Sequence, residues 1–283
     1  MVVIILFTTI LVLPLAIGTF AVTLGGRRVA GNQPTGLLFH AITSHHYTHF
    51  SYYPLDAFTL FIEALARQKI VIRTLHAAAL EKTAQTFFLT FDDGFNNFYT
   101  QALPVLDHFF IKVTLFPIAG FIGRCSAWDV LPRQNHLSRS QIREIADHGH
   151  EIGSHSMTHA DLTLLPKSDV ERELHDSKHL LEDITGKPVT SLSFPFGSWN
   201  KRVWEMAQQI GYTQATVSRF HGRRAEGLLP VLGVYSFDTV QDVLDKIFSG
   251  GNALHTLARC RIMSHFAKGT PLWKFRGNYM LLQ

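Results

Sequence analysis

The sequence predicts an α/β protein with a parallel sheet, either open or closed into a barrel. Short runs rich in β-branched and aromatic residues alternate with longer stretches whose apolar residues have helical spacing. Polar clusters follow several predicted strands, and the carboxyl ends of parallel strands are where α/β proteins build their functional sites. With 283 residues, 46% of them hydrophobic and 17% charged, the chain can form one domain with a sizeable core.

The first part of the domain contains three predicted strands and two predicted helices. The strands cover 37–42, 86–91 and 112–117, and the helices cover 55–68 and 97–109. The strand segments are rich in side chains that fit a buried pleated surface. In the first helix, Phe58, Phe61 and Leu65 recur at helical spacing and predict one buried face.

Three helices in the second part are predicted to begin at a capping residue and to end at a glycine. A side-chain oxygen at the cap satisfies a free N–H of the first turn, and glycine readily adopts the left-handed conformation that ends a helix. Short strands are predicted between these helices at 150–153, 190–194 and 213–217. The capping residues are Ser138, Ser168 and Asn200, and the glycines are Gly149, Gly186 and Gly211.

The N-terminal run from Val2 to Leu24 contains no charged residue and has the length of a membrane-spanning helix. No Lys or Arg precedes this run, whereas a cleaved signal peptide begins with a basic region. We therefore interpret residues 1–28 as a retained membrane anchor. A signal segment and a buried element are the alternatives, and the main domain follows from residue 36 to residue 283.

The charge distribution does not predict binding to nucleic acid. The formal net charge is +4 and the pI is about 9.1, but Lys and Arg residues are scattered rather than clustered. The sequence leaves the oligomeric state open.

Two adjacent acids, Asp92 and Asp93, follow the predicted strand at 86–91 and precede Gly94. Successive strand residues face opposite sides of a sheet, so both acids can serve one site only if the strand ends there. Gly94 supplies backbone freedom for such a turn. One carboxylate can then bind a cation while the other takes a proton from water. A turn that caps a helix is the structural alternative.

His155 and His159 are four residues apart, which places both imidazoles on one face if the segment is helical. Two histidines and one carboxylate form an open-sided metal site with positions for water and substrate. Such a site suits Zn²⁺, and also Co²⁺, Ni²⁺, Mn²⁺ or Fe²⁺. An isolated pair at this spacing is more often a solvated helix face, but its position after a strand, together with the two acids, favours a metal site.

The segments TFDDG at 90–94 and HSMTH at 155–159 resemble the first two motifs of the polysaccharide deacetylases. This family is also called the NodB-homology or family 4 carbohydrate esterases. The similarity extends from about Leu37 to about Val217, and more loosely to Tyr235. The resemblance implies a distorted (β/α) barrel of about seven parallel strands.

The resemblance also implies the roles of the site residues. Asp93, His155 and His159 would hold a divalent metal, with Zn²⁺ the first choice, and Asp92 would be the general base. The segment SFPFG at 193–197 is similar to the third motif, in which Pro195 and the backbone N–H of Phe196 would line an oxyanion hole. The implied activity is removal of acetyl groups from an amino-sugar polysaccharide of the cell envelope. N-acetyl groups are the first choice of substrate, and O-acetyl groups are the alternative.

Two departures from the family pattern affect the base and the acid. The commoner third motif has an Arg that holds the base, where this chain has Ser193, and a Tyr where it has Phe196. A branch of the family with a Tyr-Pro-Phe-Gly-type loop shows the same change. The general acid of the family is often a His near the C-terminus, which His265 resembles loosely, and His40 is the other candidate.

Two further functions remain open, and so does the orientation in the membrane. A non-catalytic relative could bind glycan or serve as a scaffold, and the same chemistry permits amide hydrolysis of a non-sugar substrate. A sugar groove would expose aromatic side chains such as Trp128, Trp199 or Trp204, although any of them could equally belong to the core. The segment 121–136 is the candidate substrate-facing loop. A membrane-anchored enzyme facing the envelope conflicts with Arg27 and Arg28, which favour a cytosolic domain.

Overall fold

The computed structural model describes residues 34–44, 49–81, 83, 86–126, 134–218 and 225–248. In chain order the strands are β1 (Thr35–Phe39), β2 (Ala41–Thr43), β3 (Tyr52–Pro54), β4 (Ile72–Arg73), β5 (Phe87–Asp93), β6 (Thr114–Pro117), β7 (Glu151–Ile152), β8 (Ser191–Ser193), β9 (Gln214–Ser218) and β10 (Leu228–Gly233). The helices are α1 (Leu55–Arg67), α2 (Leu75–Glu81), α3 (Leu103–His108), α4 (Arg139–Asp147), α5 (Lys167–Thr185), α6 (Lys201–Ile210) and α7 (Val240–Phe248).

Seven strands form a parallel sheet in the order β7-β6-β5-β1-β10-β9-β8. The two ends of this sheet meet at a parallel bridge between Ser154 and Leu192. At this seam the Ser154 N–H donates to the Ser191 carbonyl and the Ser193 N–H donates to the Ser154 carbonyl, both at 2.9 Å. The sheet is therefore a nearly closed barrel, which agrees with the predicted (β/α) barrel of about seven strands.

Three short strands lie outside the barrel order; β3 and β4 were not predicted, whereas β2 overlaps the end of the predicted strand 37–42. Strands β2 and β3 pair with each other, and β4 pairs with the beginning of β5. Each has only two or three residues. A run of that length is too short to show the alternation of apolar and polar residues that marks a strand.

Aromatic packing joins the barrel to its outer helices. The Phe39 ring of β1 stacks on the Phe91 ring of β5 with centroids 5.2 Å apart, and Phe58 of α1 meets Phe39 edge to face at 5.5 Å. Phe98 packs against Phe91 at 4.8 Å. All four side chains are buried. Burial of such rings is a main contribution to stability, and here it fixes β1 and β5, the strands that end at the candidate site.

Two of the three predicted caps are confirmed and one is wrong. Ser138 and Gln141 form the reciprocal capping box of α4, and Asn200 Oδ1 accepts from the Val203 N–H of α6 at 2.9 Å. Helix α5 instead begins at Lys167 after Pro166, without a side-chain cap. Proline at this place starts the helix one residue before Ser168, so the hydroxyl of Ser168 lies inside the first turn.

The predicted membrane anchor at 1–28 lies outside the described residues and stays a prediction. None of the helices in the described ranges has the length and hydropathy needed to cross a bilayer. Residues 249–283, which include His265, and the tip of the candidate substrate loop at 127–133, which includes Trp128, also lie outside these ranges. The other two aromatic candidates, Trp199 and Trp204, are buried, so for them the core alternative holds and not the exposed groove.

Candidate active site

Both acids of the first motif, at the carboxyl end of β5, bring a carboxylate oxygen within 4 Å of His155 Nε2. Asp93 is the last residue of the strand and has a φ of 70°, in the left-handed region. Gly94 follows with the same φ, and a Cβ there would lie 2.8 Å from the Pro117 backbone. The predicted end of the strand is confirmed, but the reversal begins at Asp93 rather than at Gly94. Asp is among the few side chains that tolerate this conformation.

His155 and His159 are brought together by a loop, and the predicted helical arrangement is wrong. Residues 155–159 contain no helix, and Ser156 and His159 have φ values of 63° and 62°. The two imidazole centroids are nevertheless only 4.8 Å apart. Two residues in the left-handed conformation thus bring the two imidazoles together in this loop, as a helical turn would have done.

The loop is held by a carboxylate on α5. Glu173 Oε2 accepts from the Met157 and Thr158 N–H groups, both at 2.9 Å, and Glu173 Oε1 accepts from the Thr158 hydroxyl at 2.6 Å. In addition, Ser156 Oγ accepts from the His159 N–H at 3.1 Å. Charge-assisted hydrogen bonds to main-chain donors are strong, so Glu173 fixes the loop from outside the pocket.

Asp93, His155 and His159 form a donor set that fits a divalent metal. One ligand atom from each lies within 4.8 Å of the others, and all three side chains are buried. Asp93 Oδ1 is 3.6 Å from His155 Nε2 and 3.7 Å from His159 Nε2. Metals such as Zn²⁺ bind at about 2.0–2.2 Å, so one ion can contact two donors less than about 4.4 Å apart. The chemistry of the set, two imidazoles and one carboxylate, is that of an open-sided site.

The histidines are held in the form that a metal requires. His155 Nδ1 lies 2.8 Å from the Ser193 carbonyl, which can only accept, so Nδ1 carries the proton and Nε2 presents its lone pair. Burial lowers the pKa of His155 to about 4, partly opposed by this hydrogen bond. Burial, with the neighbouring histidines, holds the pKa of His159 well below its usual value. The Phe196 ring packs against His159 with centroids 4.6 Å apart.

Asp92 lies beside this donor set. Its Oδ2 accepts from the Ser193 hydroxyl at 2.8 Å, and its Oδ1 is buried without a hydrogen-bond partner among the described residues. The Asp92 carboxylate lies 3.8 Å from His155 Nε2. Burial raises the pKa of Asp92 to about 6, against the opposing effects of His40 and the Ser193 hydroxyl. One oxygen is therefore fixed, and the other is available to a reacting molecule.

Of the remaining predicted residues, His40 lies close enough to Asp92 for their charges to interact, and Pro195 and Phe196 lie in the turn after β8. His40 follows β1, and its buried Nδ1 has no hydrogen-bond partner in the described part of the chain. Burial lowers the pKa of His40 to about 4, partly opposed by the Asp92 carboxylate. Pro195 and Phe196 follow β8 in a tight turn, where Phe196 has a φ of 58°.

Backbone strain is concentrated at this site. Six non-glycine residues in the described ranges have positive φ, and four of them are Asp93, Ser156, His159 and Phe196. Such conformations cost about 1–3 kcal/mol each and persist where surrounding contacts enforce them. The three motifs, which are far apart in sequence, each contribute to this strained cluster.

Ser193 and His136 form hydrogen bonds in the site that the sequence did not predict. Ser193 stands where the commoner motif has Arg, yet it still donates a hydrogen bond to Asp92. His136 Nδ1 lies 3.0 Å from the Asp93 carbonyl oxygen, although the sequence placed His136 only at the end of a loop. No local pattern marks either contact, because each depends on a residue more than 40 positions away.

Comparison with known proteins agrees with this geometry. Residues 79–215 match the family model described as polysaccharide deacetylase. The Bacillus subtilis protein YxkH is 34% identical over 124 residues, which are 44% of this chain and 41% of that protein. The peptidoglycan-N-acetylmuramic acid deacetylase of Bacillus subtilis is 32% identical over 130 residues, which are 45% of this chain and 44% of that protein.

A solved structure extends the likeness beyond the motifs. The crystal structure of a polysaccharide deacetylase from Bacillus cereus matches with a TM-score of 0.64 and 26% identity, over 76% of this chain and 69% of that one. The chain spans less than half the length of the two curated relatives named above. The family match contains both the Asp92-Asp93 motif and the His155/His159 motif, so residues 79–215 match the polysaccharide deacetylase family in the part of the barrel that carries the candidate site.

Proposed function

We propose that this chain is a metal-dependent hydrolase that removes N-acetyl groups from an amino-sugar polysaccharide. The observation that carries the proposal is the position of the buried Asp92 carboxylate beside the donor set of Asp93, His155 and His159. A metal site alone could have a purely structural role. A neighbouring carboxylate that is outside the donor set, with one oxygen available, is what hydrolysis requires of a general base.

In this mechanism Asp93, His155 and His159 hold the metal and Asp92 moves the proton. A bound divalent metal polarises the acetamide carbonyl and makes water more acidic. Asp92 takes the proton of the water that adds to the acetyl carbon, and the backbone N–H of Phe196 donates to the oxygen on which negative charge develops. The C–N bond then breaks, the proton held by Asp92 passes to the amine nitrogen, and acetate leaves. His40 or His265 could supply this proton instead.

The substrate class is inferred from the relatives and from the site. The name of one Bacillus subtilis relative specifies N-acetylmuramic acid of peptidoglycan, an amino-sugar polymer. We extend this class to the present chain and propose a polymer of the cell envelope, with Zn²⁺ as the first candidate metal.

Acetate release tests this function directly. The full chain is assayed on N-acetylglucosamine oligomers, peptidoglycan glycan strands and O-acetylated xylooligosaccharides, after chelation and after metal is restored. Release from the first two should require metal, and Asp92→Asn should lower kcat by about 10²–10⁴-fold with unchanged metal content. Asp176→Asn, on the exposed surface of α5, is the matched control.

The other functions predict different results. A glycan-binding relative would bind the oligomers and the metal but release no acetate in any form. An amide hydrolase for other substrates would release acetate from simple acetamides but not from the sugars. Release that survives both chelation and Asp92→Asn would contradict the proposed mechanism.

We also propose that residues 1–28 anchor the domain in the membrane, facing the cell envelope, on the strength of their uncharged apolar run. Membrane fractionation at alkaline pH separates an anchor from a released signal segment. Protease accessibility of the domain in intact cells then tests its orientation, because a cytosolic domain would be protected.

A further inference from the structure

We propose that His136 is a positioning residue for Asp93, holding this metal ligand in its left-handed backbone conformation. The inference rests on the metal-binding part of the proposed function. It assigns a role to a side chain that lies outside the donor set and outside the three sequence motifs.

The hydrogen bond between His136 and Asp93 has a defined direction. His136 Nδ1 lies 3.0 Å from the Asp93 carbonyl oxygen, and a carbonyl can only accept, so Nδ1 is the donor. The same carbonyl accepts from the Ile118 N–H at 3.3 Å. Two donors from different segments therefore fix the peptide plane that follows Asp93.

This peptide plane determines where the Asp93 carboxylate lies. Asp93 has a φ of 70°, in the left-handed region that is unfavourable for a non-glycine residue. In that conformation the carboxylate oxygen is 3.6 Å from His155 Nε2 and 3.7 Å from His159 Nε2. Relaxation of Asp93 to an extended backbone would turn its side chain toward the opposite face of β5, away from both imidazoles.

His136 is itself rigidly placed, as a positioning residue must be. Its ring is buried between Phe95 and Phe121, with centroid distances of 5.0 and 5.4 Å. Its main chain forms an antiparallel bridge with Phe95, and its N–H donates to the Arg124 carbonyl at 2.9 Å. The donor therefore reaches Asp93 from a segment that packing and main-chain hydrogen bonds hold in place. Residues that hydrogen-bond to the ligands of metal sites commonly orient those ligands.

A pair of substitutions separates the hydrogen bond from the packing. His136→Phe keeps an aromatic ring between Phe95 and Phe121 but has no donor. His136→Asn loses the ring, but its side-chain amide nitrogen is as many bonds from the backbone as Nδ1 and can donate to the same carbonyl. Zn²⁺ and Co²⁺ affinities are measured by competition with a chromophoric chelator, in the full chain and without substrate.

Two controls make the affinities interpretable. His175 and His179 are exposed on α5 with ring centroids 4.3 Å apart and could bind added metal at the surface, so every protein also carries His179→Gln. His108→Phe, at the exposed end of α3, controls for the loss of any one imidazole.

We expect His136→Phe to weaken metal binding about 10–100-fold, and His136→Asn to stay within about threefold of the reference protein. Unchanged affinity in His136→Phe would overturn the inference while leaving the proposed function intact. Greater weakening in His136→Asn than in His136→Phe would overturn it as well, since packing would then matter more than the donor. A reference protein that binds neither metal would contradict the inference and the metal-dependent function together.

Discussion

Ser193 shows at the scale of one residue how this site orients its base without an arginine. The Ser193 hydroxyl donates to Asp92 Oδ2, and the Ser193 carbonyl accepts from His155 Nδ1. An arginine would orient Asp92 and also lower its pKa with a positive charge. A hydroxyl gives only the orientation, which is consistent with a pKa that burial raises to about 6.

Ser193→Ala should lower kcat for acetate release by about tenfold with little change in KM, because the base loses its orientation while the metal ligands stay in place. Steady-state kinetics on an N-acetylglucosamine oligomer measure both constants. Ser193→Thr keeps the hydroxyl and should restore most of kcat, whereas Ser198→Ala should have no effect. Full kcat in Ser193→Ala would show that the hydroxyl does not orient Asp92.

The sequence predicted the four central residues of the site but not the residues that support them. Asp92, Asp93, His155 and His159 stand out because acids and imidazoles follow predicted strands at short spacings. The roles of His136 and Ser193 arise from side-chain contacts across 43 and 101 positions, which leave no periodic signal in the sequence. Only the three-dimensional arrangement reveals them.

At the scale of elements, α5 supports the metal ligands through a single carboxylate. Glu173→Ala removes the acceptor of the Met157 and Thr158 N–H groups and of the Thr158 hydroxyl. We expect the metal-free protein to lose about 1–3 kcal/mol of unfolding free energy, because these donors are left unsatisfied. Urea unfolding measures this loss. Glu171→Ala, on the exposed face of the same helix, should change it little, and equal losses in both variants would contradict the role of Glu173.

Elements with local signals were predicted well, and elements defined by distant partners were not. The capping box at Ser138 and the cap at Asn200 depend on residues three positions away, and both are confirmed. The helical interpretation of residues 155–159 failed because the spacing of two histidines does not distinguish a helical turn from a loop held by Glu173. Strands β3 and β4 escaped prediction because tertiary pairing alone defines them, whereas the equally short β7 and β8 lie within predicted strands.

The whole molecule should lose stability as the pH falls through the range of histidine titration. Burial lowers the pKa of His40, His136, His150 and His155 to about 4, and it holds the pKa of His159 well below its usual value. In the unfolded chain these groups titrate near 6.5. The stabilisation is therefore complete above pH 6.5 and decreases toward pH 4, by up to about 1.4 kcal/mol per pH unit for each histidine.

His150 offers a test of this prediction away from the candidate metal site. It accepts from the Val113 N–H through Nδ1, and its Nε2 contacts Asp107. His150→Asn keeps the acceptor and does not titrate. The number of protons taken up on unfolding between pH 6.5 and 4 should therefore fall by about one, and the pH slope of the unfolding free energy falls with it. His108→Asn, at an exposed position of α3, is the control for the loss of an imidazole. Urea unfolding of the chelated protein at several pH values measures both, and an unaltered slope in His150→Asn would contradict the prediction.

Asp107 adds a separate transition at lower pH. Burial raises the pKa of Asp107, but hydrogen bonds from Lys112, His148 and His150 outweigh this effect and lower it to about 2. This carboxylate therefore stabilises the fold above about pH 4, its ordinary value, and the contribution is lost as the pH falls toward 2. The histidine and carboxylate transitions should thus be resolved along the pH axis.

The seam at Ser154 couples closure of the barrel to assembly of the candidate site. Before β8 pairs with Ser154, the chain has neither the carbonyl that orients His155 nor the hydroxyl that orients Asp92, since both belong to Ser193. Contacts this distant in sequence form slowly, because a long loop must close first. Partly folded chains can hold helices and the β5–β6 pair yet bind metal weakly. Metal retention thus reports on completed folding, and destabilised variants should release metal before their helical circular dichroism declines.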